Sequence, residues 1–221
     1  MKNKKIYAVI TGDIVGSSRF KIGRQREEVL LILKDSFQKI GLTDIIASPF
    51  AIYRGDSFQG VISKPEEALR ASIILRANLL SRFRGKGVRL DARIAIGLGT
   101  IDYLPKKQVG EGDGEAFRNS GMELDTMKKE ELKLIIKTPW QNINDELRTE
   151  CVLFDALVQR WTKEQAEAIV YHIQGLKQEE IAAVLGISQP AVFQRLKSAS
   201  YRAVQVFLER FKTIIQYKVI G

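Results

Sequence analysis

The sequence has very few of the side chains that build most metal centres and disulfide frameworks. It contains one cysteine, Cys151, and one histidine, His172, among 221 residues. A single cysteine cannot form an internal disulfide, and a single histidine excludes histidine-rich metal sites. We therefore expect any catalysis to use carboxylates, lysines or hydroxyl groups.

Long apolar runs are also absent. No continuous apolar stretch approaches the roughly 20 residues that cross a bilayer, and the N-terminal segment MKNKKIYAVI enters a strand pattern without a small-residue cleavage site. We expect a cytoplasmic protein without membrane contact. Basic residues exceed acidic ones, 35 against 26, and the net charge of +9 favours partners that carry phosphates.

The order of the apolar patterns predicts an α+β fold. Amphipathic helices are expected between strand patterns, and a hairpin turns at Arg54-Gly55-Asp56. Strands are predicted at 5–15, on both sides of the hairpin, at 90–99 and at 132–136; helices are predicted at 25–39, at 65–83 and near 119–128. This βαββαβ order is typical of the ferredoxin-like arrangement, an antiparallel sheet backed by helices. We expect the first strand to lie centrally, beside the strand that leads into the hairpin.

Helical patterning continues from about Pro139 almost to the C-terminus. We therefore predict two domains, a ferredoxin-like domain at 1–145 and an all-α domain at 146–221. The all-α domain includes a capping box at Thr162 and Gln165, a turn at Gly186 and an N-cap at Ser188. This pattern predicts a helix-turn-helix whose second helix enters the major groove of duplex DNA. The residues expected to contact DNA are Ser188, Gln189, Phe193, Gln194, Arg195 and Lys197.

The segment EEIAAVLGISQPAVFQRLKSA resembles the helix-turn-helix of sigma-factor region 4 and of LuxR-type regulators, which implies DNA binding. The alternative is a three-helix bundle that does not bind nucleic acid. An apolar stripe from Ala203 to Phe211 packs on this bundle or pairs two chains. We expect a homodimer, because a small DNA-binding unit gains affinity by occupying two half-sites.

Two acidic residues at strand ends form the second candidate site. Asp13 ends the first strand, Asp56 lies in the hairpin, and the predicted topology brings both to one end of the sheet. Paired carboxylates favour a divalent cation between them, and Mg²⁺ or Mn²⁺ with phosphate oxygens suits such a pair. The alternative is that each aspartate is an ordinary turn residue. Asp91 and Arg93 are interpreted as a surface ion pair.

The motifs ITGDIVGSS, RGDSFQGVI and ARIAIGLG, in this order, resemble those of class III nucleotidyl cyclases. The resemblance implies a palm-like domain in which Asp13, Asp56 and the carbonyl of Ile14 bind metal. It places a nucleotide near the glycine and serines that follow the first strand and near the helix after the glycine-containing loop. The implied nucleotide-binding residues are Gly16, Ser17, Ser18, Arg118 and Asn119.

The cyclase pattern Asn-x-x-x-Arg is incomplete in this sequence. Counting from Asn119 puts Glu123 at the arginine position, and counting from Gly114 puts Met122 there. Catalytic residues are therefore not assigned. With GEAFRNSG and the appended helix-turn-helix, nearly the whole chain resembles the SatD family, which implies architecture more than activity.

The expected function is a DNA-binding transcriptional regulator whose cyclase-like domain binds a nucleotide, a divalent metal, or both. The alternative is a nucleotidyl cyclase or nucleotidyltransferase that uses two divalent metals. A third interpretation is a palm-like domain that serves only for dimerisation.

Overall fold

The structure is a computed structural model that describes residues 5–17, 23–53, 55–85, 87–105 and 109–220. Within these ranges it contains five strands and eight α-helices, so the predicted α+β class is confirmed. The strands are β1 (Tyr7–Ile14), β2 (Ile46–Tyr53), β3 (Ser57–Ile62), β4 (Ala92–Gly99) and β5 (Leu134–Lys137). The helices are α1 (Arg24–Gly41), α2 (Ala68–Arg82), α3 (Glu115–Lys129), α4 (Gln141–Val158), α5 (Lys163–Ile173), α6 (Gln178–Leu185), α7 (Gln189–Ser198) and α8 (Tyr201–Ile220).

The five strands form one sheet in the order β2-β3-β1-β4-β5. The central strand β1 is antiparallel to both β3 and β4, while β5 is parallel to β4. The expectation that β1 lies beside β2 is wrong, because β3 lies between them. Helix α1 connects β1 to β2, which runs parallel to β1 with space for one strand between them. The hairpin then places β3 in that space.

The two faces of the sheet are covered by different helices. Side chains such as Ile10 of β1 pack with α1 and α2, whereas Thr11 of β1 faces α3 and its hydroxyl bonds to that of Ser120. Helix α3 approaches β4 very closely at Gly97, where a Cβ atom would lie 2.3 Å from the carbonyl oxygen of Ala116. Glycine at this position therefore permits the helix to contact the strand directly.

Helix α2 is buried on nearly all sides. From Ala68 to Leu80 nearly every side chain is buried, because α1 and the sheet cover one side and α5 packs along another. A helix that is apolar all round belongs to an interior. The buried side chains form a continuous cluster from Ile10 in the sheet, through α2, to Phe211 in α8.

Polar contacts also join the C-terminal helices to the rest of the chain. Arg89, in the loop before β4, donates to the carbonyls of Val158 at 2.5 Å and Trp161 at 2.7 Å. The indole N–H of Trp161 donates to the carbonyl of Ala199 at the end of α7, 2.9 Å away. The predicted boundary at residue 145 lies inside α4, and α4 packs on β5. The division into two domains stays a prediction.

Candidate site at the end of the sheet and the α6–α7 helix pair

Asp13, near the end of β1, lies opposite Ser57 on β3 and Arg93 on β4. The guanidinium of Arg93 donates to both carboxylate oxygens of Asp13, at 3.1 and 3.4 Å. The ammonium of Lys128, from the last turn of α3, lies 3.7 Å from the same carboxylate. Two cations of the chain therefore counter the charge of Asp13, whose side chain is only 14% exposed.

Asp56 lies at the same end of the sheet, in the turn between β2 and β3. Its carboxylate accepts a hydrogen bond from the hydroxyl of Ser17 at 2.7 Å, and its carbonyl accepts one from the N–H of Ile14 at 2.9 Å. Gly16 has a left-handed backbone, with φ of 70°, that a residue with a Cβ rarely adopts. Ser18 lies outside the described residues. The structure thus brings Asp13, Ile14, Ser17 and Asp56 to one end of the sheet.

Two aspartates alone supply too few oxygen atoms for a divalent metal, which would need a further ligand such as a phosphate to complete its coordination. No group of three or more His, Cys, Asp or Glu side chains suited to a metal occurs among the described residues. Mg²⁺ is commonly held by one or two carboxylates together with phosphate oxygens and water. Arg93 and Lys128 add positive charge beside Asp13, and the sequence patterns did not assign either to the site. The signal that points to Arg93 is its position in the ARIAIGLG motif, at the start of the strand beside β1.

Arg118 and Asn119, the other two residues expected to bind a nucleotide, lie away from Asp13 and Asp56. Asn119 donates to the carbonyl of Leu98 at 2.8 Å, and Arg118 donates to the carboxylate of Asp113 at 2.8 Å. Leu98 is five residues along β4 from Arg93, roughly 17 Å at the usual rise of a strand. Within one chain the structure therefore does not bring these two residues to Asp13 and Asp56.

Behind the site lies a buried charge cluster that the sequence did not reveal. Arg76 of α2 donates to both oxygens of Asp91 at 3.0 Å and to Asp155 of α4 at 2.5 Å. The interpretation of Asp91 and Arg93 as a surface pair is wrong. Asp91 precedes β4 and is buried against Arg76, while Arg93 faces α3 and pairs with Asp13.

This cluster connects α2 and α4 to the end of the sheet that carries Asp13. The carboxylate of Asp155 accepts hydrogen bonds from the backbone N–H groups of Lys133 and Leu134, at the start of β5. The carbonyl of Asp91 accepts the N–H of Val15, two residues after Asp13. Burial alone would raise the pKa of Asp91, but the charge of Arg76 and its hydrogen bonds hold that pKa below its ordinary value. Asp91 is therefore a buried carboxylate that stays charged.

Helices α6 and α7 are joined by a tight turn. Gly186 ends α6 in the left-handed conformation, with φ of 64°, and the hydroxyl of Ser188 accepts the N–H of Ala191 at the start of α7. Val192 and Leu196 are buried, which leaves the opposite face of α7 in solvent. The local capping chemistry predicted from the sequence is present.

The six residues expected to contact DNA differ in their surroundings. Gln189 donates to the side chain of Gln178 at 2.7 Å, and the guanidinium of Arg195 lies 3.6 Å from the carboxylate of Glu167 on α5. Ser188 caps the helix. The remaining three side chains, Phe193, Gln194 and Lys197, are exposed.

Within the described ranges, no helix is both long enough and apolar enough to span a bilayer.

The fold defines an α+β protein with a central five-stranded mixed sheet, and its C-terminal helices share the same core. The chain matches the sequence model of the SatD family over residues 7–216. The protein therefore belongs to the SatD family, as the sequence motifs predicted.

Comparisons with solved structures and with curated proteins do not assign a function to the chain. Among solved structures, the active GGEEF domain of a diguanylate cyclase from Vibrio cholerae is similar, at 18% sequence identity and a TM-score of 0.42. The similarity covers 62% of this chain and 85% of that one, and is too distant to transfer an activity. None of the curated proteins matches the chain.

Proposed function

We propose that the protein binds duplex DNA through α7, and that the end of the sheet carrying Asp13 and Asp56 binds a regulatory nucleotide, with or without a divalent metal. The observation that carries the proposal is the solvent face of α7. This ten-residue helix has no acidic side chain and presents Phe193, Gln194 and Lys197 together. Helices of this size fit the major groove, where such side chains contact base edges and phosphates.

The surroundings of α7 support this role. Its buried face packs through Val192 and Leu196, and its C-terminal end is held by the bond from Trp161. A face held in place in this way needs little ordering on binding, which lowers the entropic cost of association. Lys177 and Arg202, both exposed near the ends of the helix pair, supply charge for phosphate contacts.

A salt titration of DNA binding tests the proposal. Fluorescence anisotropy with a labelled duplex measures affinity between low and moderate salt, and the logarithm of affinity should fall linearly with the logarithm of salt concentration. Lys197→Ala should reduce that slope by about one phosphate contact. Lys34→Ala, an exposed lysine on α1, is the matched control and should leave the slope unchanged. Absence of salt-dependent binding by the wild type, or equal slopes for both variants, contradicts the proposal.

We also propose that two copies act together, because one small DNA-binding unit gains affinity when a second occupies a neighbouring half-site. Sedimentation of the protein with and without duplex measures the number of chains per complex. One chain on every duplex length would contradict this part of the proposal.

Nucleotide binding is tested separately by thermal unfolding with each nucleoside triphosphate and Mg²⁺. Ligand binding raises the unfolding temperature, because it stabilises the folded state by RT ln(1 + [L]/Kd). The increase should be lost in Asp56→Ala and kept in Asp102→Ala, whose exposed carboxylate pairs with Arg118. No increase with any nucleotide favours the interpretation as a dimerisation domain.

A nucleotidyl cyclase or nucleotidyltransferase is the second candidate function. It is favoured by the presence of Asp13, Asp56 and Ser17 at one end of the sheet, where two metals with a triphosphate could be held. Incubation with each nucleoside triphosphate and Mn²⁺, followed by measurement of pyrophosphate, tests it. Release that is absent, or that survives in Asp13→Ala, rejects this candidate.

A further inference from the structure

Phe193 is a large apolar side chain left in solvent at the middle of α7. It is 48% exposed, whereas its neighbour Val192 is buried in the core. The ammonium of Lys197, one turn further along the helix, lies 5.9 Å from the centre of the Phe193 ring. This contact is a cation–π interaction, which favours a ring that stays on the solvent face of the helix beside a charge.

The other candidate side chains on this face have different chemistry. Gln189 and Arg195 already have partners, Gln178 and Glu167, and Gln194 and Lys197 offer hydrogen bonds and charge. Phe193 has no hydrogen-bonding group and offers the apolar surface of its ring. On the edges of the four DNA bases in the major groove, the one apolar group is the C5-methyl of thymine.

We propose that Phe193 contacts the C5-methyl group of a thymine and so gives the protein a preference for thymine at one position of its DNA site. This inference rests on the proposed binding of DNA through α7. Lys197, held beside the ring, contacts an adjacent phosphate while Phe193 packs on the methyl group. The pair thus joins a contact that is independent of sequence to one that depends on it.

The first step of the test is selection from a duplex library with a randomised central segment. Wild type is expected to enrich thymine at one or more fixed positions, and Phe193→Ala is expected to lose that enrichment at one of them. Val184→Ala is the matched control, because Val184 is also an exposed apolar residue, at 55%, but lies on α6. It should keep the thymine enrichment.

The second step removes only the methyl group. Deoxyuridine replaces thymine at the enriched position in the selected duplex, and binding is measured by fluorescence anisotropy. Wild type should lose roughly fourfold in affinity, the equivalent of one buried methylene. Phe193→Ala should bind the two duplexes equally. Thermal unfolding of Phe193→Ala near the wild-type temperature shows that the variant is folded.

Three results would overturn the inference. Wild type with equal affinity for thymine and deoxyuridine duplexes at every enriched position rejects it, while the DNA-binding proposal stands. Loss of the thymine preference in Val184→Ala to the same extent assigns the effect to a wider apolar surface. Absence of binding to any duplex in low salt rejects both the proposed function and this inference, so the two failures are distinguishable.

Discussion

Replacement of Arg76 with methionine tests whether the buried charge cluster stabilises the fold. Arg76 is fully buried, and Asp91 and Asp155 are only 3% and 6% exposed. Methionine keeps much of the apolar volume but removes the cation that both carboxylates share, which leaves Asp91 paired only with the ammonium of Lys133, 3.6 Å away. Removal of one partner of a buried ion pair costs about 3–5 kcal/mol, a large part of the roughly 5–15 kcal/mol that stabilises a typical protein.

The loss in the free energy of unfolding should depend on pH. In the wild type burial has the largest single effect on the pKa of Asp91 and raises it, but the charge and hydrogen bonds of Arg76, together with Lys133 and the N–H of Ala92, hold that pKa below its ordinary value. Its stabilisation is therefore present above the unfolded pKa of about 3.9 and is lost as pH falls through the lower folded pKa. Without Arg76, Lys133 and the N–H of Ala92 are left to oppose the effect of burial, so the pKa of Asp91 should rise above its wild-type value and the wild type should lose more stability than the variant as pH falls. The difference between the two proteins should be largest near neutral pH and smaller near the unfolded pKa.

Urea unfolding followed by circular dichroism, at neutral and at acidic pH, measures both effects. Arg148→Met is the matched control, because Arg148 pairs with Glu130 on the surface. Exposed pairs contribute about 0–1 kcal/mol, so this variant should unfold close to the wild type. The reasoning is refuted by an Arg76→Met loss no larger than that of Arg148→Met, or by a loss that increases as pH falls.

Three further predictions concern close packing and burial. Gly97→Ala should lower stability by about 1–3 kcal/mol, measured by thermal unfolding, because the new Cβ would lie 2.3 Å from the carbonyl oxygen of Ala116. Trp161→Phe should cost roughly 1–3 kcal/mol in urea unfolding, because it removes the N–H group that bonds the carbonyl of Ala199. Cys151 should not react with a coloured thiol reagent until urea unfolds the protein, because burial shields the thiol and raises its pKa well above the ordinary value.

The controls for these predictions come from the same chain. Gly121→Ala is matched to Gly97→Ala, since Gly121 lies in α3 and a Cβ there would meet no described atom within 4 Å beyond its own stretch of helix. Alanine at that position should stabilise slightly. Equal unfolding temperatures for the two variants would disprove the close approach of α3 to β4. A Trp161→Phe protein as stable as the wild type would show that its hydrogen bond adds nothing. Equal rates of Cys151 modification with and without urea would contradict its burial.

The elements that depend on neighbouring residues could be predicted from the sequence. The pattern at 25–39 predicted α1 to within two residues at each end, and the turn at Gly186 with the cap at Ser188 follows from local backbone chemistry. The hairpin on both sides of Asp56 was predicted for the same reason.

Features that depend on distant contacts could not be predicted. Arg76 stands in an apolar helix, and no local pattern indicates that Asp91, 15 positions away, and Asp155, 79 positions away, meet it in the core. The sequence also contains no sign that the amide of Asn119 donates to the carbonyl of Leu98, 21 positions away. A sequence motif gives the order of residues along the chain, whereas the hydrogen-bond and ion-pair partners of each side chain depend on how helices and strands pack.

The burial of α2 also bears on how such a chain can change over evolutionary time. Because α5 packs on one side of α2 and the sheet on another, loss or exchange of the C-terminal helices would expose an apolar helix surface to water. The N-terminal half could be inherited alone only after many substitutions had made α2 a surface helix. Any loss of the C-terminal helices must therefore be accompanied by substitutions in α2.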